Sequence, residues 1–243
     1  MAVFVIADLH LDTESNQKSM EVFGPRWKNY TERLRANWTR LVSPGDTVVI
    51  PGDISWALTT EDARADLKWI DSLPGRKIIS KGNHDFWWST VSRMKRFFCE
   101  NCIETIDILN NNACRAESFI IAGSRGWFVD RSVQNTDRDV DYDKIVNREV
   151  IRLRMSLEAA KKLQDESYAE ILVFLHFPPI WADFRCEPIL SLLSEFNIRR
   201  CYFGHIHGCY TQSGCFSAEG ITFRMISADF LDFIPQIISP ESP

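Results

Sequence analysis

The sequence lacks several features that would place the protein in a specialised class. No apolar run approaches the roughly 20 residues of a membrane-spanning helix, so we expect no membrane span. The apolar opening at residues 3–6 has no basic leader and ends at Asp8, so we expect no signal peptide. No internal repeat or low-complexity tract is present, which excludes a repeat architecture.

Regular cysteine spacing and excess positive charge are also missing. The seven cysteines are odd in number and irregularly spaced, which favours reduced thiols over a disulfide framework. Cys99 and Cys102 have the spacing of a redox or zinc pair, but no matching second pair exists, so we interpret them as helix-end thiols. The formal net charge of −5 provides no global basic field for nucleic acid, although it leaves room for a local basic groove. We therefore expect a cytoplasmic protein, and the sequence leaves its oligomeric state open.

The chain is long enough and apolar enough to bury a substantial core. With 243 residues and 45% hydrophobic content, it could form one large domain or two small ones. We favour a single domain over residues 1–243, because the polar motifs described below run from Asp8 to His207.

Short apolar runs alternate with stretches of helical spacing. Five runs that each lead into a polar motif are predicted as strands: residues 2–7, 47–50, 77–80, 171–175 and 201–203. Residues 118–122 and 221–226 are predicted as strands of a second sheet. A long amphipathic helix is predicted over 143–164, with shorter helices over 27–41, 60–73, 87–98 and 187–196. Because loops at strand ends can converge on one edge of a sheet, we expect the polar motifs to meet there.

Carboxylates follow the first two predicted strands. Asp8 and His10 come directly after the first, and in an extended continuation residues two apart point to the same side, so both could bind one metal ion. Asp53 follows the second strand and Gly52, whose missing side chain lets the backbone approach closely. The two oxygens of Asp53 could bridge two cations. Taken alone, each motif is also typical of an ordinary polar turn.

The third and fourth strands lead into further polar residues. Asn83 can offer its amide oxygen to a metal, and the neighbouring His84 can face the substrate, with Asp85 available to orient or charge the imidazole. The same residues could instead be a polar turn that caps the next helix, and both interpretations can hold together. His176 ends the fourth strand, where a lone histidine is more often structural than a ligand.

The motif after the fifth strand is the most specific. His205 and His207 follow Gly204 and are separated by one apolar residue, so the two imidazoles could present nitrogens on one side. All five histidines of the chain lie in these strand-end motifs. Together with the carboxylates and the amide, they predict a site for two neighbouring divalent metal ions.

The ordered set of motifs resembles the calcineurin-like metallophosphoesterase superfamily. The resemblance implies a four-layer αββα sandwich of the α/β class with two metal ions at the strand ends, often manganese, iron or zinc. Carried over position by position, it implies that one metal is held by Asp8, His10, Asp53 and His207, and the other by Asp53, Asn83, His176 and His205. Asp53 would then be the bridge.

The resemblance also implies a reaction, the hydrolysis of a phosphate ester. His84 is outside the implied ligand set and is expected to stabilise the transition-state charge or protonate the leaving oxygen. Residues 54–56 lack the arginine that the related Ser/Thr protein phosphatases carry nearby, and Asp85 stands where they have glutamate, so a protein phosphatase is disfavoured. A phosphodiesterase is favoured. The alternatives are a phosphomonoesterase acting on a nucleotide or small metabolite, and a catalytically silent metal-binding scaffold.

No substrate-binding residue is assigned from the sequence. The aperiodic segment 124–142 holds residues that could contact phosphate and stack on a base, namely Arg125, Trp127, Arg131, Arg138 and Tyr142. It could equally be a solvated connection with Trp127 in the core. Trp181 could line the same pocket or pack beneath it.

Overall fold

Two large β-sheets carry the polar motifs. The computed structural model describes residues 1–13, 19–127, 142–164 and 169–239. The strands in these ranges are β1 (Val3–Val5), β2 (Thr47–Pro51), β3 (Arg76–Ser80), β4 (Ile106–Ile108), β5 (Ala113–Ala116), β6 (Phe119–Ser124), β7 (Glu170–Leu175), β8 (Ile180–Trp181), β9 (Phe184–Arg185), β10 (Arg200–Phe203), β11 (Cys215–Ala218), β12 (Ile221–Met225) and β13 (Gln236–Ile238). The helices there are α1 (Tyr30–Leu41), α2 (Arg64–Asp71), α3 (Val91–Glu100), α4 (Tyr142–Gln164) and α5 (Glu187–Glu195).

Both sheets are parallel at their centres. The first has the strand order β13-β1-β2-β3-β4, and only β13 is antiparallel to its neighbour. The second has the order β11-β12-β10-β7-β6-β5, with antiparallel strands β11 and β5 at its two edges. Strands β8 and β9 form a separate hairpin. The carboxyl ends of the central strands in each sheet therefore point to one edge, where side chains from successive loops can meet.

The sheets pack on each other and are covered by helices on their outer faces. Helices α1, α2 and α3 share a hydrophobic core with the first sheet, while α4 and α5 share another with the second. Alternate residues of β7 divide between these cores, since Leu172 and Phe174 face the first sheet and Val173 and Leu175 face α4 and α5. This is the expected four-layer αββα sandwich.

The two sheets come together directly beside the polar motifs. Beyond the end of β1, the Ala7 N–H donates to the Ile226 carbonyl and the Ala7 carbonyl accepts from the Ala228 N–H, both at 2.8 Å. This isolated parallel bridge, between Ala7 and Ser227, links the carboxyl end of β1 in one sheet to that of β12 in the other. Loops from both sheets can therefore contribute to a single site.

Several element boundaries differ from the sequence-based predictions. Helix α1 begins at Tyr30, because Pro25–Trp27 form a separate 3-10 turn. Helix α3 begins at Val91 rather than at residue 87, after an N-cap in which the Thr90 hydroxyl accepts from the Arg93 N–H. Strands β4, β5, β8, β9, β11 and β13 were not predicted.

Among the described helices, none combines the length and the apolar character that crossing a bilayer requires. All seven cysteines are free thiols, and Cys99 and Cys102 lie at the end of α3 and just beyond it, as interpreted from the sequence.

Candidate metal centre

The predicted site residues converge from five strand ends. Asp8 and His10 follow β1, Asp53 follows β2, and Asn83 and His84 follow β3 in the first sheet. His176 follows β7, and His205 and His207 follow β10 in the second. The structure brings these eight side chains together, in two adjoining clusters with His84 beside them.

The first cluster contains Asp8, His10 and His207. Ligand atoms of these three side chains lie within 4.8 Å of one another. The Nε2 atoms of His10 and His207 are 3.2 Å apart. His10 Nε2 is also 3.7 Å from Asp53 Oδ2, so Asp53 borders this cluster.

The second cluster contains Asn83, His176 and His205. Asn83 Oδ1 lies 2.6 Å from His176 Nε2 and 3.1 Å from His205 Nδ1. His176 Nε2 is 3.4 Å from Asp53 Oδ2. One carboxylate oxygen of Asp53 therefore stands next to both clusters.

The donor atoms of the second cluster suit a cation. His176 Nδ1 is 3.2 Å from the Pro51 carbonyl oxygen, which can only accept a hydrogen bond, so the ring proton lies on Nδ1. His176 Nε2 then presents a lone pair to the oxygens of Asn83 and Asp53, which are acceptors as well. Lone pairs that converge without a hydrogen between them are the arrangement that a divalent metal ion satisfies.

Backbone N–H groups orient both carboxylates. The His84 N–H donates to Asp53 Oδ1 at 2.8 Å, which leaves Oδ2 to face the two clusters. The His205 N–H lies 2.9 Å from Oδ2 and 3.1 Å from Oδ1 of Asp8. Each carboxylate is thus fixed by the main chain of a histidine that belongs to the same site.

Two glycines make the close approach of these loops feasible. A Cβ atom on Gly82 would lie 2.1 Å from Asp53 Oδ1, and one on Gly52 would lie 2.6 Å from Gly82 Cα. Gly52 also has φ +95°, where side chains are strained. The close backbone approach expected at Gly52 is confirmed.

The backbone at the site is not extended, contrary to the sequence-based expectation. Asp8, His10, Asp53 and His205 have φ of 59°, 45°, 50° and 70°, in the left-handed region. Asp8 and His10 still share a cluster, but His205 and His207 turn to different ones. Each such residue costs on the order of 1 kcal/mol or more, a cost commonly found at functional sites.

Burial dominates the protonation of His176, His205 and Asp8. It lowers the pKa of His176 to about 3 and, together with the neighbouring histidines, lowers that of His205 to about 2, so both imidazoles are neutral and able to act as ligands. Burial and the Asp53 carboxylate raise the pKa of Asp8 to about 7 against the opposing effect of His207. Buried carboxylates of this kind gain most from a nearby cation, which favours their charged form.

Asp229 is a site residue that the sequence analysis missed. Its buried carboxylate accepts from His207 Nδ1 at 2.8 Å, the Tyr210 hydroxyl at 2.9 Å and the Gly208 N–H at 3.1 Å. The bond to Nδ1 turns His207 Nε2 toward His10. A signal was present, because Asp229 follows the predicted strand 221–226 as Asp8 and Asp53 follow theirs, but it lies outside any recognisable motif.

Asp85 does not orient the His84 imidazole as suggested from the sequence. Its oxygens accept from the N–H groups of Gly82 at 2.7 Å, Ile54 at 2.8 Å and Asp53 at 2.9 Å, and from Trp87 Nε1 at 2.9 Å. The carboxylate therefore joins the loops after β2 and β3 from beneath. It holds the backbone that positions Asp53 and Asn83.

Tryptophans form a wall around the first cluster. Trp56 stacks on His10 with ring centroids 4.9 Å apart and lies 4.5 Å from the His84 ring. Trp27 meets His10 and His207 edge-on, at 6.1 and 5.6 Å. These indoles restrict the orientations of all three imidazoles.

The segment 124–142 is described only at its ends. Trp127 packs on Phe177, with ring centroids 5.5 Å apart, and the Arg125 guanidinium lies 5.1 Å from the Trp127 ring centroid. Arg131 and Arg138 lie outside the described residues. Trp181 packs on Phe203 in the outer core of the second sheet.

Comparison with solved structures supports the fold. Phosphopantetheinyl hydrolase (PptH) from Mycobacterium tuberculosis is 13% identical, with a TM-score of 0.53 over 99% of this chain and 96% of that one. The protein TT1561 of Thermus thermophilus is 9% identical, with a TM-score of 0.52 over 94% of this chain and 89% of that one. No curated protein matches the sequence.

The family is established by the sequence itself. The family model of the calcineurin-like phosphoesterases matches residues 1–209, which include every motif from Asp8 to His207. Its match covers most of the chain and both clusters of the site. The chain therefore belongs to the calcineurin-like phosphoesterase family, and it is a metal-dependent phosphoester hydrolase.

Proposed function

We propose that this protein is a phosphodiesterase with a binuclear metal centre. The observation that carries the binuclear centre is the position of Asp53 Oδ2, which lies 3.7 Å from His10 Nε2 in one cluster and 3.4 Å from His176 Nε2 in the other. A carboxylate oxygen with donor sets on both sides is suited to bridging two cations. The proposed diester preference rests on the departures of residues 54–56 and Asp85 from the protein-phosphatase pattern.

The ligand assignment follows the two clusters. We assign one metal to Asp8, His10, Asp53 and His207, and the other to Asp53, Asn83, His176 and His205. Imidazole, carboxylate and amide ligands are compatible with Mn²⁺, Fe²⁺ or Fe³⁺, or Zn²⁺. We further propose that residues 1–243 form one domain, because these ligands are drawn from Asp8 to His207. The reduced thiols make the cytoplasm the proposed compartment.

The metal ligands and His84 are proposed to have different roles in hydrolysis. Two cations bound there would polarise the phosphoryl group and make hydroxide available near neutral pH. The carboxylates, held by the His84 and His205 N–H groups, keep the ligand set in place before substrate binds. His84, which is not part of the carboxylate and imidazole clusters found among the described residues, is proposed to protonate the leaving oxygen or stabilise the transition-state charge.

The first test compares two esters on the same protein. Metal-stripped protein reloaded with manganese is expected to hydrolyse bis(p-nitrophenyl) phosphate with a kcat/KM at least about tenfold above that for p-nitrophenyl phosphate, a difference of about 1.4 kcal/mol in transition-state binding. Metal analysis should find two manganese ions per chain. A monoester preference would reassign the protein as a phosphomonoesterase. No turnover with two metals bound would contradict the proposed reaction on such esters and leave the scaffold alternative.

A second test addresses how His207 is positioned. Asp229→Asn keeps the shape of the side chain but removes its charge, so the hydrogen bond that orients His207 is weakened. We expect the variant to lose about 10- to 100-fold in manganese affinity, as is usual when the partner of a metal-bound histidine is changed. Activity should return at high manganese concentration. The matched control is Asp232→Asn, which alters an exposed carboxylate three residues away, and equal affinities in the two variants would show that Asp229 has no positioning role.

A further inference from the structure

A strongly basic pocket adjoins the metal centre. Its volume is about 560 Å³, and its lining includes the four cationic side chains Lys81, Arg125, Arg148 and Arg152 and the single carboxylate of Glu149. The chain as a whole has a net charge of −5, so this concentration of positive charge is local. A pocket of this volume is suited to a small molecule rather than to a polymer.

The one carboxylate does not neutralise the pocket. Glu149 is 1% exposed, and its Oε1 lies 2.5 Å from an Arg152 nitrogen and 3.6 Å from an Arg125 nitrogen. Four cationic side chains line the pocket beside this one carboxylate, which leaves an excess of positive charge. Cations that repel one another across a half-buried pocket are stabilised when an anion binds among them.

Polar atoms in the lining also lack protein partners. The Ser80 hydroxyl, Arg125 Nε and Glu149 Oε2 are buried, and none of them has a hydrogen-bond partner within the described residues. The first two can donate a hydrogen bond, whereas the carboxylate oxygen can only accept one. Buried polar groups are nearly always hydrogen-bonded, so an unpaired donor in the wall of a pocket points to a ligand. The donors present, guanidinium, ammonium and hydroxyl, suit an anion with several oxygens.

The pocket and the proposed metal ligands are connected through the main chain. Lys81 is two residues before Asn83, and an extended chain of that length spans at most about 7 Å. On the other side, the Arg125 carbonyl accepts from the His176 N–H at 3.1 Å. A molecule whose ester lies at the metal centre could therefore place a neighbouring group in the pocket.

We propose that this pocket binds a second phosphate group of the substrate, so that the natural substrates are phosphate esters bearing an additional phosphate. Arginine favours phosphate because its planar fork of donors matches two phosphate oxygens at once. The inference rests on the proposed hydrolytic function. It assigns the pocket to the phosphate group of the substrate that is not hydrolysed.

The binding test avoids hydrolysis altogether. Inorganic phosphate is titrated calorimetrically into the metal-stripped full chain, after circular dichroism has verified its fold. We expect one phosphate to bind, and the variant Arg148→Gln/Arg152→Gln to bind it about 10- to 100-fold more weakly, the usual effect of losing charge-assisted hydrogen bonds. The control Arg96→Gln/Arg199→Gln removes two exposed arginines outside the pocket lining and should bind as the parent does. Equal phosphate affinities in the pocket variant and in the control variant would overturn the inference.

A kinetic test on manganese-loaded protein shows whether the pocket binds a phosphate group of the substrate or only inorganic phosphate. Thymidine 5′-(p-nitrophenyl phosphate) and its 3′-phosphorylated form differ by one phosphate and release the same product. We expect the 3′-phosphorylated ester to have at least about tenfold higher kcat/KM, and this ratio to fall toward one in Arg148→Gln/Arg152→Gln but not in the control. Equal kcat/KM on the two esters would overturn the assignment to the substrate. Absence of turnover on both, with phosphate binding intact, would instead count against the proposed function.

Discussion

Replacing Asp53 with asparagine is expected to lower turnover by about three orders of magnitude or more. The substitution keeps the size of a side chain that is 1% exposed, but it removes the negative charge between the two clusters. Bridged metal ions contribute several kcal/mol of transition-state stabilisation, and each 1.4 kcal/mol is tenfold in rate. Manganese analysis should find at most one ion per chain, against two in the parent.

Thermal unfolding separates loss of metal from loss of fold. Ligands that bind only the folded state raise its stability, so manganese should raise the Tm of the parent more than that of Asp53→Asn. Without metal, the variant should be no less stable than the parent, because burial already disfavours the charged carboxylate and raises the pKa of Asp53. Asp183→Asn makes the same change at an exposed position and should keep full activity. Two manganese ions in Asp53→Asn would mean that Asp53 is not the bridge.

The convergence of the site could be predicted from the sequence. Asp53 and Asn83 each follow an apolar run, and β2 and β3 are parallel with Pro51 opposite Ser80, so their loops begin side by side. Parallel strands that end at a common edge bring such residues together whatever the details of the turns. The pattern therefore predicted which residues meet, and the structure brings them together.

The conformation of the loops could not be predicted in the same way. Asp8 and His10 are left-handed because their N–H groups donate to the carbonyls of Gly52 and Asp53, at 3.1 and 2.9 Å. These partners lie more than 40 positions away in the chain, so no local pattern specifies them. Tertiary hydrogen bonds decided the turn, and the assumption of a continued strand was wrong.

The start of α3 was misjudged for a related reason. Trp87 and Trp88 fit the helical spacing of the residues after them, but the Trp87 indole donates to the buried Asp85 carboxylate at 2.9 Å. The chain is held in a turn there, and the helix begins only after the Thr90 cap. Hydrophobic spacing identifies a helix, whereas its first residue depends on polar partners that spacing does not reveal.

The same polar partners connect the two sheets through the site. Asp8 belongs to the first sheet and is held by the His205 N–H of the second, while His176 of the second sheet lies against Asn83 and Pro51 of the first. Binding of metals would therefore stabilise the packing of one sheet on the other as well as the loops themselves. For this reason, a variant that reduces activity must be examined for metal content before any residue is given a chemical role.

His84→Ala is the variant for which that distinction matters most. We expect it to retain two manganese ions, because the group that orients Asp53 is the His84 backbone N–H, which alanine preserves. Its kcat should nevertheless fall by about 100- to 10,000-fold, the usual contribution of a general acid. Phe86→Ala removes an exposed ring that lies 6.3 Å from the His84 ring, leaves the imidazole in place and should have a small effect.

The role of His84 is identified by comparing the activity that His84→Ala loses on esters with different leaving groups. If the imidazole protonates the leaving oxygen, His84→Ala should lose far more activity on an ester of an ordinary alcohol than on one that releases p-nitrophenolate, since a weakly basic leaving group needs little protonation. If it stabilises transition-state charge instead, the loss should be similar for both esters. A variant that lost one manganese ion would show that His84 is a ligand.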